Sequence, residues 1–297
     1  MVILGIEAAA KVAGAAVLKA ETSLTAEENL PAELSSQAGS GLQAGFLAEE
    51  FTDGNLTHSQ TLMPMIHRVL EKAGISLDQV DLITLTAGPG SFTGLRIGAA
   101  TAKGLALGRA RVDENGHMAG GIPILPLGTL ESLCAGPVLG RAGKEELPAG
   151  DLVYVGTMDA RRSQVYAACY DAKLNPLVSP EAMPPAALAE KLKALGRPCL
   201  FMGDAADLYE TFFSQELGEL YHKAPESVRG LRAGTSCLLA LRKIRQAKEQ
   251  GLPLPVIHGW ELEIDYLRKP QAEREREERL ARENAAAEQN PAGEVGC

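Results

Sequence analysis

The chain has 297 residues, 45% of them hydrophobic and 23% charged, with 29 Lys and Arg against 38 Asp and Glu for a formal net charge of −9. That acidic balance excludes a protein that grips nucleic acid or an anionic membrane unaided, since both need a concentrated basic surface. Five scattered cysteines without a CxxC, an N-terminal MVILGIE lacking a basic flank, and no apolar run of the roughly 18 residues that span a bilayer point to reduced thiols in a soluble, cytoplasmic protein.

In chain order, residues 2–6 and 12–18 are apolar strands joined by a five-residue turn. Residues 19–40 read as a polar insertion and 45–51 as a third strand. Thr57 fits a helix N-cap, with Gln60 completing a capping box. The helix runs to about Ala73, and Pro64 kinks it by removing one backbone donor. Residues 81–87 (DLITLTA) form a buried-type strand, followed by a glycine-rich turn and a helix over 93–107. A second set starts after Gly128, with a short helix at 129–134, a loop over 136–150, and a strand hairpin from 152–158 and 164–170. A helix at 185–195, a strand at 199–202 and a long helix at 230–248 complete it. Alternating strands and helices make an α/β protein. The expected division is lobe one at 1–127, lobe two at 128–270 and a charged tail at 271–297 that has no apolar stripe to bury.

The densest signal is AGPGSFTGLRIG, residues 87–98, placed between a strand and a helix where backbone amides hold anions. A P-loop needs Lys after its last glycine, but Leu95 follows Gly94. The dinucleotide fingerprint GxGxxG fails too, because Gly94 stands one residue too far from Gly88 and Gly90. An anion cradle and a tight packing turn both remain, and the failed templates favour the turn. Glu7 closes the first strand, where a carboxylate orients water or a hydrated metal, and Asp159 holds the equivalent place in the second half. Paired carboxylates at two hairpins are the layout of the actin/Hsp70/sugar-kinase ATPases. Glu7, Gly88, Gly90 and Asp159 are therefore candidates for a vestigial nucleotide site, with a small-molecule kinase or ATPase as the alternative function. Ala8, Ala9 and Ala10 after Glu7 supply none of the hydroxyls that hold phosphates in that layout.

His58 and His67 are too far apart for a helical metal pair, and Leu62 stands four after His58. The two helices carry a different signal. Leu62, Met63, Met65, Ile66, Val69, Leu70 and Ala73 spread over about 160°, against ~100° for a one-sided stripe. The second helix is apolar nearly all round, Arg96, Thr101 and Lys103 excepted. Burial inside the monomer and a helix-packed protein interface both account for this.

The run LTAGPGSFTGLRIGAATAKGLALG (residues 85–108) closely resembles the signature of the TsaB (YeaZ) family. So do HSQTLMP at 58–64, MDARRSQVYAACY at 158–170, and YLR and PQA at 266–268 and 270–272, which together cover most of residues 1–272. The resemblance implies a two-lobed actin/Hsp70/sugar-kinase-like (ribonuclease H-like) fold. It implies a non-catalytic subunit of the machinery that makes threonylcarbamoyladenosine next to the tRNA anticodon. The implied partner is TsaD, the paralogue that keeps a metal-binding HxxxH and transfers the threonylcarbamoyl group. TsaE joins through that pair and tRNA is met only through the complex; a second copy of the chain is the alternative occupant of the apolar helices when the chain is alone. The implied interface falls on His58, Leu62, Met63, Met65, Ile66, Val69, Leu95, Arg96, Ala99, Ala100 and Lys103. No catalytic residue, metal or cofactor is expected in this chain, since metal and nucleotide belong to the partner subunits. His58 stands at the first metal histidine of TsaD and Leu62 at the second. Glu7-Ala8-Ala9 replaces the usual Asp-Thr-Ser, which weakens nucleotide binding and leaves the interface untouched.

Overall fold

A computed structural model of the chain describes residues 1–21, 44–52, 57–112, 118–141 and 147–267, with Arg279 besides. β1 (Val2–Glu7) and β2 (Ala13–Ala20) form an antiparallel hairpin with Glu7 opposite Gly14, and β3 (Ala44–Thr52) pairs with the far side of β2. α1 (His58–Ala73) runs through Pro64 and ends on Gly74, whose left-handed backbone returns its N–H to Leu70 and Glu71. β4 (Leu82–Gly88) lies parallel to β1, and α2 (Phe92–Leu107) follows it. A small hairpin of β5 (Ala110–Val112) and β6 (Met118–Gly120) precedes β7 (Ile124–Gly128), which joins parallel to β4.

The pattern then repeats. α3 (Thr129–Val138) leads to the antiparallel strands β8 (Val153–Asp159), β9 (Val165–Tyr170) and β10 (Pro176–Met183). α4 (Pro185–Leu195) returns the chain to β11 (Cys199–Met202), parallel to β8. α5 (Asp204–Leu208) and α6 (Glu210–Leu217) lead to β12 (Tyr221–Lys223), parallel to β11. α7 (Glu226–Arg229) and α8 (Ala233–Glu249) close the series. Among the described residues the sheets have the orders β3-β2-β1-β4-β7 and β10-β9-β8-β11-β12. Two lobes with one topology, each a hairpin-led meander followed by two parallel crossovers, make the actin/Hsp70-like fold.

Every residue of β1 and β4 is buried, as expected for parallel strands covered on both faces. One face packs Leu4, Ile6, Ile83 and Leu85 against Leu62, Met65, Ile66 and Val69 of α1 and Ala99, Ala102 and Ala106 of α2. The other packs Ile3 and Leu82 against Cys237, Leu238, Leu241 and Ile244 of α8. Gly5 sets that second contact, because a Cβ there would stand 2.6 Å from both Ala233 O and Cys237 Sγ. The second lobe has its own core around Phe201 and Phe213, whose rings lie 4.7 Å apart.

Several expectations are corrected. The second lobe does not run unbroken to residue 270, because α8 packs on β1 and β2. Beyond it, Ile257 bridges to Ile124 and the Asp265 N–H donates to Ala87 O at 2.8 Å. α3, in turn, follows β7 yet packs on β8 and β9. The lobes thus exchange helices, and Glu131–Lys243 (2.7 Å) and Glu49–Arg141 (2.6 Å) cross the seam between them. Thr57 is the N-cap of α1 by backbone only, its hydroxyl donating to Gln60 Oε1 at 3.0 Å, so no capping box forms. The loop expected over 136–150 begins later, since α3 continues through Pro137 to Val138. The polar insertion from residue 22, residues 142–146 of that loop and the charged tail, Arg279 apart, lie outside the described residues. Cys134, Cys169, Cys199 and Cys237 are free, buried thiols. No helix among the described residues is long and apolar enough to cross a membrane.

Candidate functional site

The glycine-rich turn lies at the carboxyl end of β4, beside the β1–β2 turn. Gly90 and Gly94 meet the backbone of Ala9 and Ala8: a Cβ on Gly90 would stand 2.5 Å from Ala9 O, and one on Gly94 would overlap Ala8 O. Ser91 fixes the approach by donating its N–H to Ala9 O at 2.7 Å. Its hydroxyl accepts the Gly94 N–H at 3.2 Å and so caps α2. On the other side Gly88, at φ 139°, leaves room for the Asp265 carbonyl. The Ser91 and Gly94 amides are turned to the chain's own backbone and cap, and Gly88, Gly90 and Gly94 serve close packing.

Glu7 sits beneath this turn, wholly buried. Its Oε1 accepts from Thr86 Oγ1 at 2.7 Å and from the Ala9 N–H at 2.9 Å, while Oε2 has no hydrogen-bond partner among the described residues. Burial penalises the charged form and pushes the carboxyl up to about 7, against the opposing pull of the Thr86 and Ala9 hydrogen bonds. Thr86 escaped the sequence reading, although Thr84 and Thr86 on one face of a buried strand were its signal. Asp159 is occupied by its own hairpin, its Oδ1 accepting the Arg161 N–H at 2.8 Å and its Oδ2 facing Arg161 Nη1 at 3.1 Å. Its N–H donates to Asp204 Oδ1 at 3.0 Å.

The amino end of α8 is likewise taken. Glu49 Oε1 accepts the Gly234 N–H at 2.9 Å while Oε2 pairs with Arg141. A nucleotide needs amide and hydroxyl donors for its phosphates. Here alanines follow Glu7, the glycine turn is closed by packing, and a carboxylate caps α8. Glu7 and Gly90 stand together where the β1–β2 turn meets the glycine turn, and several of the donors there are taken within the chain.

The expected interface residues divide sharply. Leu62, Met65, Ile66, Val69, Leu95 and Ala99 are buried in the monomer's own core and present nothing to a partner. Met63 is 48% exposed, Arg96 and Ala100 are exposed, and His58 and Lys103 are half-buried. His58 Nε2 lies 3.0 Å from Ala10 O, which ties the start of α1 to the β1–β2 turn. Among the described residues no group of His, Cys, Asp and Glu is arranged to hold a metal. A cluster absent from the sequence reading caps this face: Arg96 lies 3.8 Å over the Phe92 ring and donates Nε–H to Tyr266 Oη at 3.2 Å. Tyr266 itself packs its ring against Phe92, centroids 5.3 Å apart and tilted by 38°. Its local signal was the aromatic residue four before an arginine on one helix face.

Comparison with known proteins places this geometry in a family. A family model described as "TsaD: tRNA N6-adenosine threonylcarbamoyltransferase" matches residues 53–275. The Bacillus subtilis tRNA threonylcarbamoyladenosine biosynthesis protein TsaB is 31% identical over 230 residues, 76% of this chain and 86% of that protein. The protein of the same name from Haemophilus influenzae is 34% identical over 110 residues, 37% of this chain and 39% of that protein. The solved structure of YeaZ from Pseudomonas aeruginosa covers 89% of this chain and 99% of its own at a TM-score of 0.56 and 18% identity. At that identity the likeness shows the fold. On the sequence relatives, the chain belongs to the TsaB (YeaZ) branch of this tRNA threonylcarbamoyladenosine family.

Proposed function

We propose that this chain is a non-catalytic, cytoplasmic subunit of the complex that makes threonylcarbamoyladenosine on tRNA, and that it acts by binding and organising TsaD. TsaE and tRNA are met through that pair, and metal and nucleotide belong to the partners. The observation that carries this reading is the closed glycine turn. Where related architecture would cradle phosphates, Gly90 and Gly94 instead hold the Ala8–Ala9 backbone, so the chain keeps the fold's rigidity without its chemistry. The partner face is the exposed remainder of α1 and α2, with Met63, Arg96 and Ala100 at its surface. Apolar and arginine side chains on a rigid helix face suit a protein contact.

Ala100→Trp tests this. Ala100 is exposed in the monomer, so the variant should fold with an unchanged circular dichroism spectrum while its affinity for TsaD falls at least ~10-fold, the effect of about 1.4 kcal/mol. Undiminished copurification would move the interface off α2. Phosphate release by the isolated chain at roughly 1 s⁻¹, lost in Glu7→Ala, would favour an enzyme instead.

A further inference from the structure

The segment that follows α8 runs along α2 from its carboxyl end to its amino end. Ile257 bridges to Ile124 at the edge of the first sheet. Gly259 comes so close to α2 that a Cβ on it would stand 3.1 Å from Ala106 Cβ. Leu262 is buried in the core that α1 and α2 share with the sheet, and Asp265 is bonded through its N–H to Ala87 O. Tyr266 thus arrives, half-buried, beside Phe92 and Arg96 in the first two turns of α2. Its Oη accepts the Arg96 Nε–H at 3.2 Å, while the guanidinium lies 3.8 Å over the Phe92 ring. An exposed arginine ordinarily samples many rotamers, and these two contacts select one. The rest of the fork is unspent, since among the described residues Arg96 has no carboxylate partner.

We propose that Tyr266 is a positioning residue of the partner face: it holds Arg96 against Phe92 so that the guanidinium meets an acidic side chain of TsaD. The proposal rests on the functional reading just given and names the chemistry of that contact. Charge supports an acidic counterpart. The chain is acidic overall, yet between Asp81 and Asp113 it carries Arg96, Lys103, Arg109 and Arg111 and no Asp or Glu. Arg109 faces Asp78 at 3.8 Å. Arg96 stands exposed between Phe92 and Ala100, each one turn away on the same side of the helix and exposed as well. Glu263 and Asp265 lie near Tyr266 in sequence, and neither forms an ion pair with Arg96 among the described residues. A planar, permanently charged fork takes a carboxylate through two parallel bonds. Arginine and aromatic side chains are enriched among the residues that carry protein contacts. Restraining the arginine beforehand removes part of the ordering cost of association.

The test is the affinity of the full chain for TsaD, measured by titration calorimetry over a series of KCl concentrations, beside thermal melts of each isolated variant. Arg96→Met keeps an unbranched stem on the Phe92 ring and removes the charge. It should melt as wild type does, bind TsaD roughly 10–30-fold more weakly, and lose part of the salt dependence. Arg96→Lys keeps the charge without the fork and should remain about 3–10-fold weak. Tyr266→Phe keeps the ring and loses the oxygen, so it should melt unchanged while affinity falls about 3-fold. With Arg96→Met already in place, Tyr266→Phe should cost nothing further, the non-additivity expected of a residue that acts through another. Wild-type affinity in Arg96→Met, or a Tyr266→Phe loss that persists in full on the Arg96→Met background, would overturn the inference. Should Ala100→Trp weaken binding while Arg96→Met does not, the functional reading stands and this contact falls. If the wild-type chain does not bind TsaD at all, the functional reading falls and takes this inference with it.

Discussion

Wild-type protein should lose about 3 kcal/mol of stability, relative to Glu7→Gln, as the pH is raised from 4.5 to 8. The cause is the Glu7 carboxyl, raised to about 7 from the ordinary 4.5 chiefly by burial. Between these values the folded protein holds a proton that the unfolded chain has released, so stability falls with rising pH. The contribution is fully present below pH 4.5, is lost as pH rises through 7, and stays constant above. Glutamine keeps an oxygen for Thr86 and Ala9 but cannot ionise, so the variant lacks this segment of the profile. Urea titrations of both proteins at pH 5, 6, 7 and 8 measure it. A stability difference that stays constant across those four values would show that Glu7 is solvated or paired in a way the geometry denies.

Gly94→Ala should destabilise the fold by more than about 3 kcal/mol, while Gly104→Ala, ten residues along the same helix, should stabilise it by up to ~1 kcal/mol. The new methyl at position 94 would overlap the carbonyl oxygen of Ala8, backbone that cannot swing aside as a side chain could. At position 104 it would meet nothing within 4 Å, and only the helix preference of alanine would register. Thermal melts of the two variants test the closed turn directly. Equal, small effects would mean that the glycine turn stands away from the β1–β2 turn and retains room for an anion.

Much of the fold was legible because local pattern and tertiary role agree. Apolar, β-branched runs gave β1, β2, β4, β8 and β9, and the glycine turn between β4 and α2 was located by its composition. β10 escaped because Pro176 and Pro180 interrupt its alternation and two register shifts break its pairing with β9. β7 carries Pro126 in mid-strand. The interface residues were half misread for a different reason. A helical wheel shows how many sides of a helix are apolar, but not whether sheet, neighbouring helix or another chain covers each one. α1 uses its apolar arc on the first sheet and α2, leaving Met63 outside. Glu7 was singled out by its place at the end of β1, while its burial and its bond to Thr86 were not read, since both come from strand β4 brought beside β1 in the fold. Likewise the exchange of α3 and α8 between lobes has no local signature beyond the small residue Gly5, which lets α8 approach β1.

That exchange governs how the chain is made. The first sheet is complete in sequence by Gly128, yet the helix that covers one of its faces begins at Ala233 and the contact that backs Gly88 waits for Asp265. During synthesis at roughly 5–20 residues per second, the apolar face bearing Ile3 and Leu82 stays uncovered for several seconds after its strands have emerged. The amino-terminal lobe is therefore not an independent folding unit, and a ribosome stalled before α8 displays a nascent chain with an open hydrophobic sheet. The segment from Ala233 to Asp265 thus decides whether the first sheet is closed, which makes that sheet dependent on the segment's synthesis or on a chaperone that shields it until then.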